Sequence, residues 1–480
     1  MKNIIYFFLF LPIIAIGQAQ EANLLDQWND PDLVVNPAYE NTYNEVWGVV
    51  ANNQEFAIIG STGGTHFIDV TDPQNAREVA FVQGAVHGSF IVHRDFHDYQ
   101  CYLYTVSDQS NNNALQIIDY SNLPNSVELV YESQEFLARS HNIFIDTSAA
   151  RLYVAPARIP GSGTVPLRVL SLENPEQPVL LADIYAIDGV SLNGIHDLYV
   201  RENIAYLNLA SRFMVADLTD AESPEYLGGM TTYPQQGYNH SGWLNDSGDT
   251  YYLADETHGR DLKVVDVSDL SDMEVVQTFN AGSPENSSIP HNLIARGDYL
   301  YASYYYDGLQ VYDISDSQNP QRVFHYDTYP GTNTGSYRGA WGVFPYLPSG
   351  NILISDMQSG LFVFEKIDNT ITGEFGTPDT PVNCGNLVSV NDPDLPFNDV
   401  QISPLPFDNQ INIAFSLSES QSIQFALLDQ TGRVIRQLAD ETFTAGQQQV
   451  SYTVSDLPAG MYFLELSGEQ QREVYKVISL

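Results

Sequence analysis

The chain has 480 residues, of which 60 are Asp or Glu and only 19 are Lys or Arg, giving a formal net charge of -41. Such a chain is a poor partner for nucleic acid or an anionic membrane surface, because binding phosphate needs concentrated positive charge. Hydrophobic residues at 43% and aromatics at 12% supply large β-rich cores and exclude general disorder, and the length suits two or three domains.

The chain starts MKNIIYFFLFLPIIAIGQAQ, with Lys2 ahead of an apolar run from Ile4 to Gly17 and small residues after it. This is the pattern of a secretory signal peptide over residues 1–19, since the run is too short to span a bilayer. No cysteine follows it, which speaks against a lipid anchor, and no later stretch approaches the roughly 20 apolar residues of a transmembrane helix. The mature protein is therefore expected to be exported and soluble. Its two cysteines, Cys101 in a strand-like stretch and Cys384 in a Pro/Asn-rich one, show no disulfide framework or metal spacing. Their pairing stays open, and both read as structurally incidental.

One phrase recurs: an apolar strand ending near Asp, then Ser or Thr, Asp or Asn, and often Pro. It stands at THFIDVTDP from Thr65, LQIIDYSNLP from Leu115, LRVLSLENP from Leu167, FMVADLTDAESP from Phe213, LKVVDVSDL from Leu262, LQVYDISDSQNP from Leu309 and LFVFEKID from Leu361. The period is about 49 residues, which suits a propeller blade of four short strands. Two alternating runs precede each phrase and a fourth follows it. The seventh repeat, from Trp341, has three strands, and LLDQWND from Leu24 is the candidate to complete it and remove a free edge. The fold class is all-β: a seven-bladed β-propeller over 22–368, closed by the N-terminal strand.

Residues 369–400 are rich in Thr, Gly, Pro and Asn and read as a linker. Beyond them, short alternating runs from Ile411, Ser422, Val434, Gln448, Met461 and Glu473, separated at Gly432, Gly446 and Pro458-Ala459-Gly460, predict a small Ig-like β-sandwich over 401–480.

The LxVxD phrases and the His-Asn and His-Asp strand starts resemble the LVIVD-repeat proteins of the choice-of-anchor B family, over roughly residues 22–368. That resemblance implies export and architecture more than chemistry. The phrases SPLPFDNQINI, DQTGRVI, DLPAGMYFLEL and the terminal YKVISL resemble, in order, a type IX secretion C-terminal sorting domain of type A; Ser403-Pro404-Leu405-Pro406-Phe407 departs slightly from the usual opening. The resemblance implies passage across the outer membrane of a Gram-negative bacterium through the type IX secretion machinery, with release or attachment to surface lipopolysaccharide.

Aligning the first strand of each blade puts Trp47, Arg94, His141, His196, His240, His291 and Trp341 at one register position, 44 to 55 residues apart. First strands line a propeller's channel, so these side chains are expected to ring one level of it. Converging neutral imidazoles are a common metal-binding arrangement, and the ends of the second strands offer carboxylates: Asp108, Asp255, Glu256, Asp307 and Asp356. His141, His196, His240, His291, Asp255 and Glu256 are the candidate ligands of a divalent transition metal, whose open position would activate water. Arg94, Trp47 and Trp341 are candidate ligand-binding residues, with Arg94 placed to clamp a carboxylate or phosphate oxygen. The competing reading makes the histidines repeated structural pegs that hydrogen-bond the next blade.

His87, His93, His97, His258 and His325 fall off the register and read as surface or loop residues, with His258 an outer partner for Glu256. Tyr301 to Tyr306 offers stacking for glycans or ordinary strand packing. The turn acids Asp72, Asp220, Asp269 and Asp316 cap turns, with weak Ca²⁺ binding as the alternative. No Gly-x-Ser-x-Gly elbow, phosphate loop or His-Glu-x-x-His helix occurs. Two functions are carried forward: a surface or secreted module binding a glycan, protein or small extracellular ligand, and a metal-dependent hydrolase with its site in the channel. A structural role in a surface layer is the third.

Overall fold

The recurring phrase is the third strand of a four-stranded antiparallel sheet, and its Asp makes the turn that follows. Asp69, Asp119, Asp217, Asp266 and Asp313 each accept a backbone N–H two residues on, at 2.7–3.0 Å. The acids Asp72, Asp220, Asp269 and Asp316 repeat the device at 2.9–3.3 Å. These are Asx turns, in which a short carboxylate replaces a backbone acceptor and fixes the direction of the chain.

The computed structural model describes residues 19–283, 289–367, 381–384, 397–403, 410–417, 420–428, 434–454, 457, 460–467 and 472–479. The signal peptide, apart from Ala19, most of the 369–400 linker, Pro404 to Phe407, Gly432 and Pro458-Ala459 lie outside these residues. The described chain contains no helix long and apolar enough to cross a membrane.

Among the described residues, seven sheets follow one another, each built on four antiparallel strands, with a fifth short strand added to three of them. Their first strands are Tyr43–Ala51, Arg94–Tyr99, Arg139–Asp146, Asp197–Arg201, Asn239–Leu244, Leu293–Arg296 and Ala340–Phe344. Each touches the first strands of the sheets before and after it, and the last touches the first, so the sheets close into a ring as blades of a β-propeller. The hairpin Ala186–Ile187/Val190–Ser191 sits between the third and fourth blades and accounts for the longest repeat. Third strands such as Phe213–Asp217 are buried on both faces except at the final Asp, because each blade packs between two others. Fourth strands such as Arg77–Gln83 alternate toward solvent.

The seventh sheet takes its outer strand from the other end of the chain: Leu24–Trp28 pairs antiparallel with Gly360–Phe364. Just before it, Gln20–Glu21 lies parallel along Gln321–Tyr326 of the sixth blade. The cysteines are not incidental. Cys101 and Cys384 form a disulfide, and Asn383–Cys384, expected in the linker, pairs parallel with Val50–Ala51 of the first blade. Asn52 N–H donates to the Cys384 carbonyl at 2.5 Å and Asn383 Nδ2 to Asn53 Oδ1 at 2.6 Å. An apparent linker residue is thus stitched to the turns that end the first strands of two blades, a contact that composition does not reveal.

The second compact unit, residues 386–480, holds two sheets. One joins Phe397–Ser403, Gln410–Leu417 and Gly446–Thr453; the other joins Val434–Phe443, Gln421–Leu428, Gly460–Ser467 and Arg472–Ser479. Gln410–Leu417 alternates buried and part-exposed positions, as a strand covering one face of a core must. Ile411, Ile413, Phe415, Phe425, Leu427, Leu464, Leu466 and Val477 form that core, an Ig-like β-sandwich.

Candidate functional site

Where the first strands begin, the channel is rimmed by rings in mutual contact. His93, His141, His196, His240, His291 and Trp341 succeed one another with centroid separations of 4.2–4.6 Å, and Trp341 returns to His93 at 5.5 Å. Irregularities at the strand starts help to aim them: the pairing register slips around His240, between Asn239 and Ser241, and around Trp341, between Ala340 and Val343. A bulge re-aims a side chain in this way.

The structure corrects the register at two blades. In the second, His93 joins the ring and Arg94 turns away: its Nε donates to Ser61 O and its Nη2 to Val86 O, both at 2.8 Å. Arg94 is 1% exposed and cannot clamp a ligand in the channel. The second blade carries one extra residue between His and acid, so His93-Arg94-Asp95 stands where the third has His141-Asn142. In the first blade the register slips between Tyr43 and Val46, and Trp47 lies a level deeper, its Nε1 donating to Asp98 Oδ1 at 2.7 Å.

That deeper level is a second ring. Trp47 meets His97 at 4.5 Å and Phe344 at 4.8 Å, His97 meets Phe144 at 4.8 Å, Phe144 meets Tyr199 at 5.3 Å and Tyr199 meets Trp243 at 4.7 Å. His97, expected at the surface, is buried here. Between the rings run Glu45, Asp95, Asn142, Asp197, Ser241, Asn292 and Gly342, one from each blade. Asn292 Nδ2 donates to Glu45 Oε2 at 2.8 Å across the seventh blade. Gly342 makes room for this reach, since a Cβ there would stand 1.8 Å from Glu45 Oε1.

The imidazole ring opens into a cavity of about 400 Å³ that is also lined by Tyr39, Val92, Asp108, Gln109, Glu256, Tyr305 and Tyr337. A second cavity of about 490 Å³, lined by Tyr238, Glu256, Thr257, His258 and Tyr337, shares Glu256 and Tyr337 with it. Of the expected carboxylates, Asp108 and Glu256 face the first cavity. Asp255 does not: it is fully buried, bound by Lys263 Nζ at 2.6 Å, Tyr233 OH at 2.8 Å and Gly237 N at 2.9 Å, so it has no oxygen to spare for a metal. Asp356 is likewise committed, to Thr328 Oγ1 and the N–H groups of Gln358 and Ser359, and Asp307 accepts from the Ser283 hydroxyl. Within Tyr301 to Tyr306 the cavity takes Tyr305, while Tyr301, Tyr304 and Tyr306 are packed inside. His87 is exposed, His325 is on an outer strand, and His258 shares the second cavity with Glu256.

The imidazoles differ in charge. Burial pushes His93 and His291 down to about 3 and holds His196 and His240 well below the ordinary value, helped by the neighbouring histidines. His141 goes the other way. Burial opposes its charge, but Asp108 Oδ2 accepts from His141 Nδ1 at 2.8 Å and raises it, while the same bond lowers Asp108 against the effect of burial. Glu256, taking the Tyr305 hydroxyl at 2.5 Å, is raised by burial to about 7. The peg interaction also occurs: His93 Nε2 donates to His141 O at 2.8 Å and His291 Nδ1 to Trp341 O at 2.6 Å. Each peg fixes one nitrogen and leaves the other a lone pair. The missed lining residues, Tyr39, Gln109 and Tyr337, lie outside the first strands and carry no repeat signal; His93 had one, a spacing of 48 to His141.

Comparison with protein-family models finds the LVIVD repeat at residues 246–281 and 291–328, which spans three strands of the fifth blade and the whole sixth. It finds the secretion system C-terminal sorting domain at residues 401–479. No match is found among curated proteins. Similar solved structures include the periplasmic gluconolactonase PpgL of Pseudomonas aeruginosa, 13% identical with a TM-score of 0.46, covering 85% of this chain and 99% of that one. The β-propeller domain of Myceliophteria thermophila Cps50 (Swd1) is 10% identical with a TM-score of 0.48, covering 72% and 100%. The sorting domain sends its carrier through type IX secretion to the cell surface or beyond. The chain thus carries LVIVD repeats in its β-propeller and a type IX secretion sorting domain over residues 401–479.

Proposed function

We propose that this exported propeller is a binding module for a small polar ligand with a ring face, such as a terminal sugar of a glycan, taken up at the imidazole mouth of the channel. The observation that carries this reading is the cavity itself. At about 400 Å³ it suits one small molecule or one projecting sugar. Tyr39, Tyr305, Tyr337 and Trp341 supply flat apolar faces, and Asp108, Gln109, His141 and Glu256 supply converging polar groups, the composition expected of a small-ligand site. Titration calorimetry of the full chain against a panel of monosaccharides and short oligosaccharides tests it. A ligand bound by the native chain is expected to bind at least about tenfold more weakly to Tyr337→Ala and Asp108→Asn, a loss of about 1.4 kcal/mol or more. A panel without a binder, or a binder indifferent to both variants, removes this reading.

Hydrolysis is the second reading, favoured by the His141–Asp108 pair and a Glu256 that titrates near neutrality in the same cavity. Such a set can hold and move a proton. Turnover of aryl phosphate or aryl ester probes that is abolished by Glu256→Gln would select it over simple binding.

A further inference from the structure

The trio His196, His240 and Glu256 stands apart from the rest of the imidazole ring. Each offers one ligand atom, and these three atoms lie within 4.8 Å of one another. His240 Nε2 is 3.8 Å from Glu256 Oε2, beyond hydrogen-bond reach yet close to the separation of about 3.4 Å between ligands of a tetrahedral zinc with bonds near 2.1 Å. His196 Nδ1 is buried without a hydrogen-bond partner, although buried polar atoms normally find one. The His196 ring packs between those of His141 and His240 at 4.2 and 4.3 Å, and Glu256 Oε1 is oriented by the Tyr305 hydroxyl at 2.5 Å. Those outer contacts fix ligand direction in the way metal sites require.

The other candidates are occupied otherwise. His141 spends Nδ1 on Asp108, and His291 spends Nδ1 on the Trp341 carbonyl. Asp255 is saturated by Lys263 and its neighbours.

We propose that His196, His240 and Glu256 bind one divalent transition metal ion, zinc or a metal of similar preference, with a fourth position open to the cavity. Two imidazoles and one carboxylate form the donor set of a site that keeps a place for water or a ligand oxygen. The rim tyrosines would then position a ligand whose oxygen reaches the metal. This deepens the binding reading without depending on which ligand is bound.

The test uses the full chain, stripped with chelator and titrated with Zn²⁺ and Co²⁺, with content read by elemental mass spectrometry and geometry by the visible spectrum of bound Co²⁺. The expected result is one equivalent, with tetrahedral or five-coordinate cobalt absorption. Glu256→Gln, which still accepts the Tyr305 hydroxyl, and His240→Ala are expected to weaken binding more than about 100-fold. His325→Ala, altering a histidine on an outer strand away from the channel, is expected to retain it. Less than stoichiometric binding by the native chain, or equal binding by native chain and Glu256→Gln, overturns the proposal. The first outcome leaves sugar titrations free to succeed, so failure of the metal site and failure of the ligand reading are separable.

Discussion

The two aromatic levels of the channel each draw six rings from the first strands or the residues that lead into them, yet behave as different materials. In the upper one, His93, His141, His196, His240, His291 and Trp341 face a cavity, and several have a nitrogen committed to a carboxylate or carbonyl. In the lower one, Trp47, His97, Phe144, Tyr199, Trp243 and Phe344 pack ring against ring in tilted and edge contacts. Phe144, Tyr199 and Trp243 follow His141, His196 and His240 by three positions. A propeller can thus close one end of its channel by packing and leave the other to chemistry, without changing its blades.

The largest effect should come from opening the closed end. Trp243 touches Phe144 at 6.0 Å and Tyr199 at 4.7 Å and is 9% exposed. Trp243→Ala is expected to cost about 3–5 kcal/mol in denaturant unfolding, the usual toll of emptying an aromatic site in a core. Below its lowered midpoint, its metal content should be unchanged. Loss of metal with little loss of stability would mean that the two levels are not separable.

The disulfide belongs to the closed end, since Cys101 and Cys384 lie at the turns where the first strands finish. It ties residues 283 positions apart, so it strongly restricts the unfolded chain. Cys101→Ala is expected to lower stability by about 2–4 kcal/mol, with the same decrement when the native chain is unfolded under reductant. Ligand and metal titrations at the open end should not move.

How much of this was legible in the sequence follows from what the repeat constrains. The third strand and its Asp recur because every blade needs the same buried strand and the same Asx turn, so the phrase marks the blade at Asp69, Asp217 or Asp313 alike. The channel level was legible where His is followed at once by Asn or Asp, as at His141, His196 and His291. It failed at His93 and Trp47, where an extra residue or a register slip re-aims the strand, because apolar periodicity carries no record of a bulge. Tyr39 and Tyr337 came from connections between blades and Gln109 from a loop between the second and third strands of the second blade, segments whose lengths do not repeat. The disulfide was hidden because a loop-like composition around Cys384 says nothing about where that loop docks.

The smallest expected effect concerns the polar layer between the two levels, and its sign depends on pH. Burial raises Asp95 from 3.8 to about 7, against the Ile143 N–H bond at 2.7 Å that favours its charged form. Between those values the folded chain holds a proton that the unfolded chain releases, so this group makes stability fall as pH rises from about 4 to about 7. His93 and His291 act oppositely. Their depressed values, about 3 against 6.5, mean that stability is lost as pH falls through that window. Glu45 and Asp197 are raised with Asp95, while His141 offers it a partly compensating charge. Asp95→Asn keeps an acceptor for Ile143 N and removes the carboxylate. It is expected to be neutral near pH 4 and to stabilise by on the order of 2 kcal/mol at pH 8, read as a midpoint difference between two thermal unfolding series. A variant that destabilises equally at both values would show that Asp95 is held ionised, and that the layer beneath the imidazoles behaves like the open end of the channel rather than the closed one.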